Sequence, residues 1–241
     1  GSSEKENRRR GAWSHRAVRR DHLERRGGTP PPAGRGYRTL KVRFSVERLP
    51  ERSRTVLYLG RLSPEKGPGF LLDAWESIAD RHPDWTLRLV GSGPDEAKIR
   101  VRVDRMAAAG TSVVLDPPVA DVVPVLREAG ILALPSLTEG LPLSLAEAMA
   151  CGTAVVSSDC PAGPAEILES GRLGVLCAVD DAGALTAALR GVLSDERGTR
   201  ERVQEAGRAV VEKWAIESSV RRLERILLSA AGRESDSPSG Q

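Results

Sequence analysis

The sequence predicts an α/β fold, a Rossmann-like parallel sheet with helices on both faces, and three observations lead there. From about residue 54 short apolar runs alternate with longer helical stretches. The short runs are apolar throughout, as strands covered on both faces require. Glycine and proline cluster just after the runs, so the loops that carry chemistry follow strands. Ligands in such sheets bind at the carboxyl ends of the strands.

In order along the chain, strands are expected at Thr55–Leu59, Thr86–Val90, Ser112–Leu115, Ile131–Leu134, Ala154–Ser157 and Leu173–Cys177. Helices are expected at Gly69–His82, Asp95–Ala109 and Val119–Ala129, the last with Asp121 in its first turn. Pro142 is read as the first helical residue of the next, with Leu141 as its N-cap and Cys151-Gly152 as its end. A short helix near Pro164–Leu168 and helices over about 181–194, 197–213 and 216–230 complete the pattern.

Residues 1–53 form a basic leader rich in Arg, Gly, Pro and Ser, with no sustained periodicity, and are read as largely disordered. The domain proper is assigned to 54–231 and a disordered tail to 232–241. Residues 1–54 hold 16 Lys/Arg against 6 Asp/Glu, whereas the rest holds 20 against 27. The sequence pI of about 9.0 therefore belongs to the leader. The functional alternative is that the leader is an electrostatic arm for anionic lipid or nucleic acid. Its aromatics are only Trp13, Tyr37 and Phe44, too few for a base-stacking platform, so no specific nucleic-acid partner is expected.

Cys151, Cys160 and Cys177 have no Cys-x-x-Cys spacing and form an odd set, which fits reduced, buried thiols in the cytoplasm. No apolar run reaches the length of a membrane span. At most a peripheral position at the inner membrane face is expected. The chain opens on Gly-Ser rather than Met, which reads as a processed product or a fragment.

Chemistry concentrates in the loops. Glu139 and Glu147 lie eight residues apart, the first in a loop and the second in the following helix. Glu147 then sits roughly 7 Å along the axis from Pro142, about the reach from a phosphate at the helix N-terminus to a ribose. Leu141 caps poorly, which leaves the first N–H groups available to an anion. A solvated helix carrying an ordinary Glu is the plain alternative. Gly60-Arg61 to Lys66-Gly67 follows the first strand with two cations suited to a diphosphate: a forked donor and a point charge. Pairing of Lys66 with Glu65 or solvent is equally compatible with this loop alone.

Gly91-Ser92-Gly93 lacks the third glycine of a dinucleotide fingerprint, Glu96 standing in its place, and reads as a tight turn beside a ligand. Ser158 to Ile167, stiffened by two prolines and a glycine, suits the rim of a site, and Glu166 reads as an ordinary first-turn carboxylate. The absences of Asp-x-Asp, a P-loop and Gly-x-Ser-x-Gly argue against a metal-centred nucleotide-sugar site, a nucleotide triphosphatase and an α/β hydrolase. No metal ligands are assigned.

Together the loops resemble the donor-binding half of retaining glycosyltransferases of GT-B architecture, the group 1 or family 4 type. The resemblance spans roughly 54–213 and rests on four stretches: Gly60-Arg61 with Glu65-Lys66-Gly67, Val90 to Pro94, Glu139 through Glu147 to Gly152, and Ser158 to Ile167. The last looks like a subgroup that builds surface and capsular polysaccharides. The resemblance implies that Arg61 and Lys66 neutralise the donor diphosphate and that Glu139 is the catalytic carboxylate beside the transferred sugar. It places the backbone of Gly140 and Leu141 near sugar and phosphate, and Glu147 on the ribose hydroxyls. Leu115 to Val119 would lie near the base, with Gly91, Gly93 and Pro118 at the rim.

The implied reaction transfers a hexose, with retained configuration, from a nucleotide diphosphate sugar to a glycan or lipid-linked acceptor. No cofactor or metal is implied; the nucleotide sugar is a co-substrate. The family's acceptor-binding N-terminal domain is expected to be missing, residues 1–54 being too short and too polar to replace it. The apolar stripe Val220, Leu223, Ile226 and Leu227 is accordingly expected to drive self-association or to meet a separately encoded acceptor domain. The alternatives are a nucleotide-sugar-binding module and a truncated fragment with no turnover of its own.

Overall fold

The structure is a computed structural model and describes residues 53–214. The leader, the expected 216–230 helix and the tail lie outside the described residues.

Six strands form one sheet: β1 (Thr55–Leu59), β2 (Thr86–Val90), β3 (Val113–Asp116), β4 (Ile131–Leu134), β5 (Ala154–Ser158) and β6 (Val175–Cys177). Every pairing is parallel, and the order across the sheet is β3-β2-β1-β4-β5-β6. The helices are α1 (Pro68–Glu76), α2 (Glu96–Ala108), α3 (Val123–Glu128), α4 (Leu143–Ala150), α5 (Pro164–Ile167), α6 (Ala182–Ser194) and α7 (Glu196–Trp214). Alternation of side chains along each strand divides the core in two. Val56 and Tyr58 of β1 point into one cluster with residues of α1, α2 and α6. Leu57 of the same strand joins the other, with residues of α3, α4 and α7. The expected parallel sheet with helices on both faces is what the chain forms.

Element ends depart from the sequence reading for local reasons. The first helix stops at Glu76 instead of His82, because the Ser77 hydroxyl bonds back to the Ala74 carbonyl at 2.7 Å and the chain tightens into a 3-10 turn over Ala79–Arg81. The third starts at Val123, not Val119. The Asp121 carboxylate, placed by the sequence in the first turn, lies ahead of it and accepts from the Val123 N–H at 3.0 Å. The final strand begins at Val175 because the Leu173 N–H turns back to the Leu168 carbonyl at 3.0 Å. In α4 the first helical residue is Leu143, with Pro142 at the N-cap. The expected assignment, Leu141 as N-cap and Pro142 as first residue, is one position too early, since Pro142 holds ψ at 82°.

The sheet positions its loops through backbone contacts that extend past the strands. Gly60 N–H donates to Val90 at 3.1 Å, Leu62 N–H to Ser92 at 2.9 Å and Asp95 N–H to Leu62 at 3.0 Å, so the β1 and β2 loops continue their ladder toward the carboxyl edge. A side chain at Gly91 would run into the Gly60 carbonyl oxygen, whereas one at Gly69 would meet nothing within 4 Å. Gly91→Ala is therefore expected to lower the free energy of unfolding by about 1–3 kcal/mol. Gly69→Ala is expected to raise it by about 0.4–1 kcal/mol. Urea denaturation of both variants checks the opposite signs.

Candidate functional site

Strand order reverses between β1 and β4. From β1 the chain builds outward through β2 to β3, and from β4 it builds the other way through β5 to β6. Such a reversal opens a crevice at the carboxyl ends of the two central strands. The loops that face each other there are the one after β1, with Arg61 and Lys66, and the one after β4, with Glu139.

These loops are joined directly. The Leu137 N–H donates to the Glu65 carbonyl at 2.9 Å. Lys66 Nζ lies 2.8 Å from Glu139 Oε1 and 3.5 Å from the Thr138 carbonyl. The lysine side chain is 29% exposed and the glutamate side chain 11%, so the pair is shielded but open on one side. Lys66 thus pairs across the crevice with Glu139, and the Glu65 carboxylate takes the buried Ser63 hydroxyl at 2.6 Å. That bond, with smaller contributions from Arg61 and Lys66, holds the Glu65 carboxyl below its ordinary range.

Behind the pair stands Tyr58, buried, with its hydroxyl donating to the Arg61 carbonyl at 2.6 Å. Burial, and then the charges of Glu139 and Glu65, push the phenol well above its usual pKa. It stays neutral and fixes the backbone at Arg61. The Arg61 side chain is exposed and makes no ion pair with any described residue. A cation held ready by its backbone and in no close ion pair with a described residue can receive an anion.

The start of α4 offers further donors. No side chain caps it. Leu143 N–H is taken by the Leu141 carbonyl at 2.8 Å and Leu145 N–H by Pro142 at 2.9 Å. The N–H groups of Gly140, Leu141 and Ser144 donate to no described group. Unpaired N–H groups at a helix N-terminus favour an anion. Glu147 lies on the second turn of α4, half-buried, about 6 Å along the axis from Leu143.

The loop after β5 closes one flank. Gly163, at φ 97°, packs so closely on the Gly140 carbonyl and the Pro142 ring that no side chain would fit there. Cys160, buried, lies against Glu139. Burial first, and then the Glu139 charge, push its thiol pKa up. Glu166 is exposed on α5, as an ordinary first-turn carboxylate would be. Gly91 and Gly93 lie on the loop after β2, and Pro118, exposed, on the loop after β3, all at the carboxyl edge. Among the described residues no group of three His, Cys, Asp or Glu side chains is arranged to hold a metal ion. No described helix is long and apolar enough to cross a membrane. All three cysteines are buried and none is in a disulfide.

Ser136 and Tyr58 were not identified from the sequence as parts of this site, and Cys160 only as a member of the rim loop after β5. Ser136 lies three residues from Glu139 in a loop, where spacing in sequence does not settle whether hydroxyl and carboxylate meet.

A sequence model of the group 1 glycosyl transferases matches residues 53–195. This chain belongs to that family. It is 36% identical over 193 residues to a phosphatidyl-myo-inositol mannosyltransferase of Mycobacterium tuberculosis, covering 76% of this chain and 49% of that one. Its fold matches Anabaena Alr3699/HepE, crystallised in complex with UDP, with a TM-score of 0.66, 22% identity and coverage of 74% of this chain and 49% of that one. It also matches the C-terminal domain of the group 1 family protein LpcC from Francisella tularensis, with a TM-score of 0.65 and 23% identity, over 75% of this chain and all of that one. The chain spans about a third to a half of the length of the first curated relatives it matches. The described fold is that of one half of a GT-B protein.

Breaking the pair between the two central loops gives a direct test of the geometry. A double-mutant cycle on Lys66→Met and Glu139→Gln is expected to show a coupling of about 1–2 kcal/mol in unfolding free energy, between exposed and fully buried pairs. A coupling near zero in urea denaturation would mean that the two loops are not held by this contact.

Proposed function

We propose that this chain is the donor-binding half of a retaining glycosyltransferase that takes a hexose from a nucleotide diphosphate sugar. The observation that carries the reading is the meeting of Lys66 and Glu139 at 2.8 Å, across the point where strand order reverses. It places a cation, a carboxylate and unpaired backbone donors at one crevice. Those are the groups a sugar diphosphate needs.

In this reading Arg61, Lys66 and the N–H groups at the start of α4 receive the diphosphate. Cleavage of the sugar–phosphate bond builds positive charge at the anomeric carbon and negative charge on the leaving diphosphate. Donors already in place stabilise that negative charge without reorganisation, and losing one costs about 3 kcal/mol of barrier. Glu139 faces the transferred sugar and Glu147 the ribose hydroxyls. The leaving phosphate assists deprotonation of the acceptor, whose oxygen enters on the face the phosphate leaves. The charge of the diphosphate is met by protein cations and backbone dipoles, so the site requires no divalent ion. A glycan or lipid-linked acceptor in cell-surface polysaccharide synthesis is the acceptor class we assign.

The base and the sugar are approached through the relatives. One is named a mannosyltransferase and another was crystallised with UDP, so both guanosine and uridine donors belong in the test. The second reading is a module that binds the donor without turning it over.

Isothermal titration with UDP and GDP is the test. Saturable binding of at least one nucleotide is expected, weakened about ten- to a hundredfold by Lys66→Ala and by Glu147→Ala. A folded protein that binds neither, or variants that bind as tightly as the parent, would contradict the assignment. Transfer to an acceptor, assayed alongside, separates the enzyme from the binding module.

A further inference from the structure

Glu139 is held by a group outside the motifs that point to the site. The Ser136 hydroxyl donates to Glu139 Oε1 at 2.7 Å. Ser136 itself is fully buried, two residues beyond the end of β4. Its hydroxyl has no other partner among the described residues. The same Oε1 also pairs with Lys66 at 2.8 Å. One carboxylate oxygen therefore takes both a hydroxyl and a cation, while the other oxygen accepts from no described group. Two donors from different loops on one oxygen fix the carboxylate's rotation as well as its position.

We propose that Ser136 is a positioning residue for Glu139: it locks Oε1 against Lys66 so that Oε2 is presented to a hydroxyl of the transferred sugar. The proposal rests on the donor-site reading of the crevice. Ser136 does not touch the donor. Lys66 alone cannot replace it, because Lys66 is also assigned to the diphosphate. When the lysine turns toward phosphate oxygens, the serine is the bond that keeps the carboxylate in place. The β1 loop offers a contrast. Ser63 there bonds Glu65 in the same way, but Glu65 is not the carboxylate that Lys66 meets across the crevice.

The sugar's share of the binding separates this role from a structural one. UDP with UDP-glucose, and GDP with GDP-mannose, are titrated into the parent chain, Ser136→Ala and Ser136→Thr. In Ser136→Ala the affinity ratio of nucleotide sugar to bare nucleotide is expected to fall about tenfold, while bare nucleotide binds within about twofold of the parent. Ser136→Thr, which keeps the hydroxyl, is expected to retain the parent ratio. An unchanged ratio in Ser136→Ala overturns the proposal, and so does equal weakening of nucleotide and nucleotide sugar, which marks a purely structural serine. A crystal structure of Ser136→Ala with Glu139 in its parental orientation overturns it independently of any ligand. A parent chain that binds neither nucleotide contradicts the donor reading itself and removes the proposal with it. That outcome is distinct, because failure of the serine's role alone leaves nucleotide binding intact.

Discussion

Strands β1 and β4 lie side by side although the chain completes two other strands between them. That adjacency governs everything at the site. Parallel strands send their carboxyl ends to the same edge, so the loops leaving β1 and β4 must meet there. Helices packed on both faces hold the strands, and the reversal of strand order leaves a gap that no crossover fills. The bond from Leu137 to the Glu65 carbonyl and the ion pair from Lys66 to Glu139 cross that gap.

Around this junction the backbone does as much as the side chains. The β1 and β2 loops extend their ladder past the strands, and Gly91 lets them approach more closely than any side chain permits. Gly163 does the same for the loop after β5 against Gly140 and Pro142. Rigid walls of this kind leave few degrees of freedom to the charged groups, so their electrostatics are set before any ligand arrives. Tyr58 stays neutral beneath the carboxylates, Ser63 holds the Glu65 carboxyl below its ordinary range, and Arg61 makes no close ion pair with a described residue. An arrangement with an unspent cation and unpaired N–H groups is poised for an anion.

Much of this was legible in the sequence, for identifiable reasons. The short apolar run Ile131–Leu134, set in the strand–helix alternation, reads as a buried strand, and its limits held to the residue, whereas Ser112–Leu115 moved to Val113–Asp116. Lys66 and Glu139 stood out because charged residues in loops after strands are exposed to ligand by construction of the fold. Helix limits failed where a side chain competed with the backbone, as Ser77 and Asp121 do, since such bonds depend on geometry that periodicity does not encode. Pairing across the crevice was hidden for a different reason. Whether Lys66 meets Glu65 or Glu139 depends on two loops brought together by the sheet, and adjacency in sequence offers only Glu65 as a candidate. Ser136 went unseen because a buried serine next to a proline carries no charge signal, and in a loop its spacing from Glu139 does not imply contact.

The central claim is that the crevice between the β1 and β4 loops is where a nucleotide diphosphate binds. Amide chemical-shift mapping of the isotope-labelled chain, titrated with UDP and with GDP, tests it most directly. The account predicts that shifts concentrate in residues 60–67, 91–94, 136–147 and 160–163, with the amides of Gly140, Leu141 and Ser144 among the largest. Shifts confined to other surfaces, or no shifts at saturating nucleotide, would contradict it.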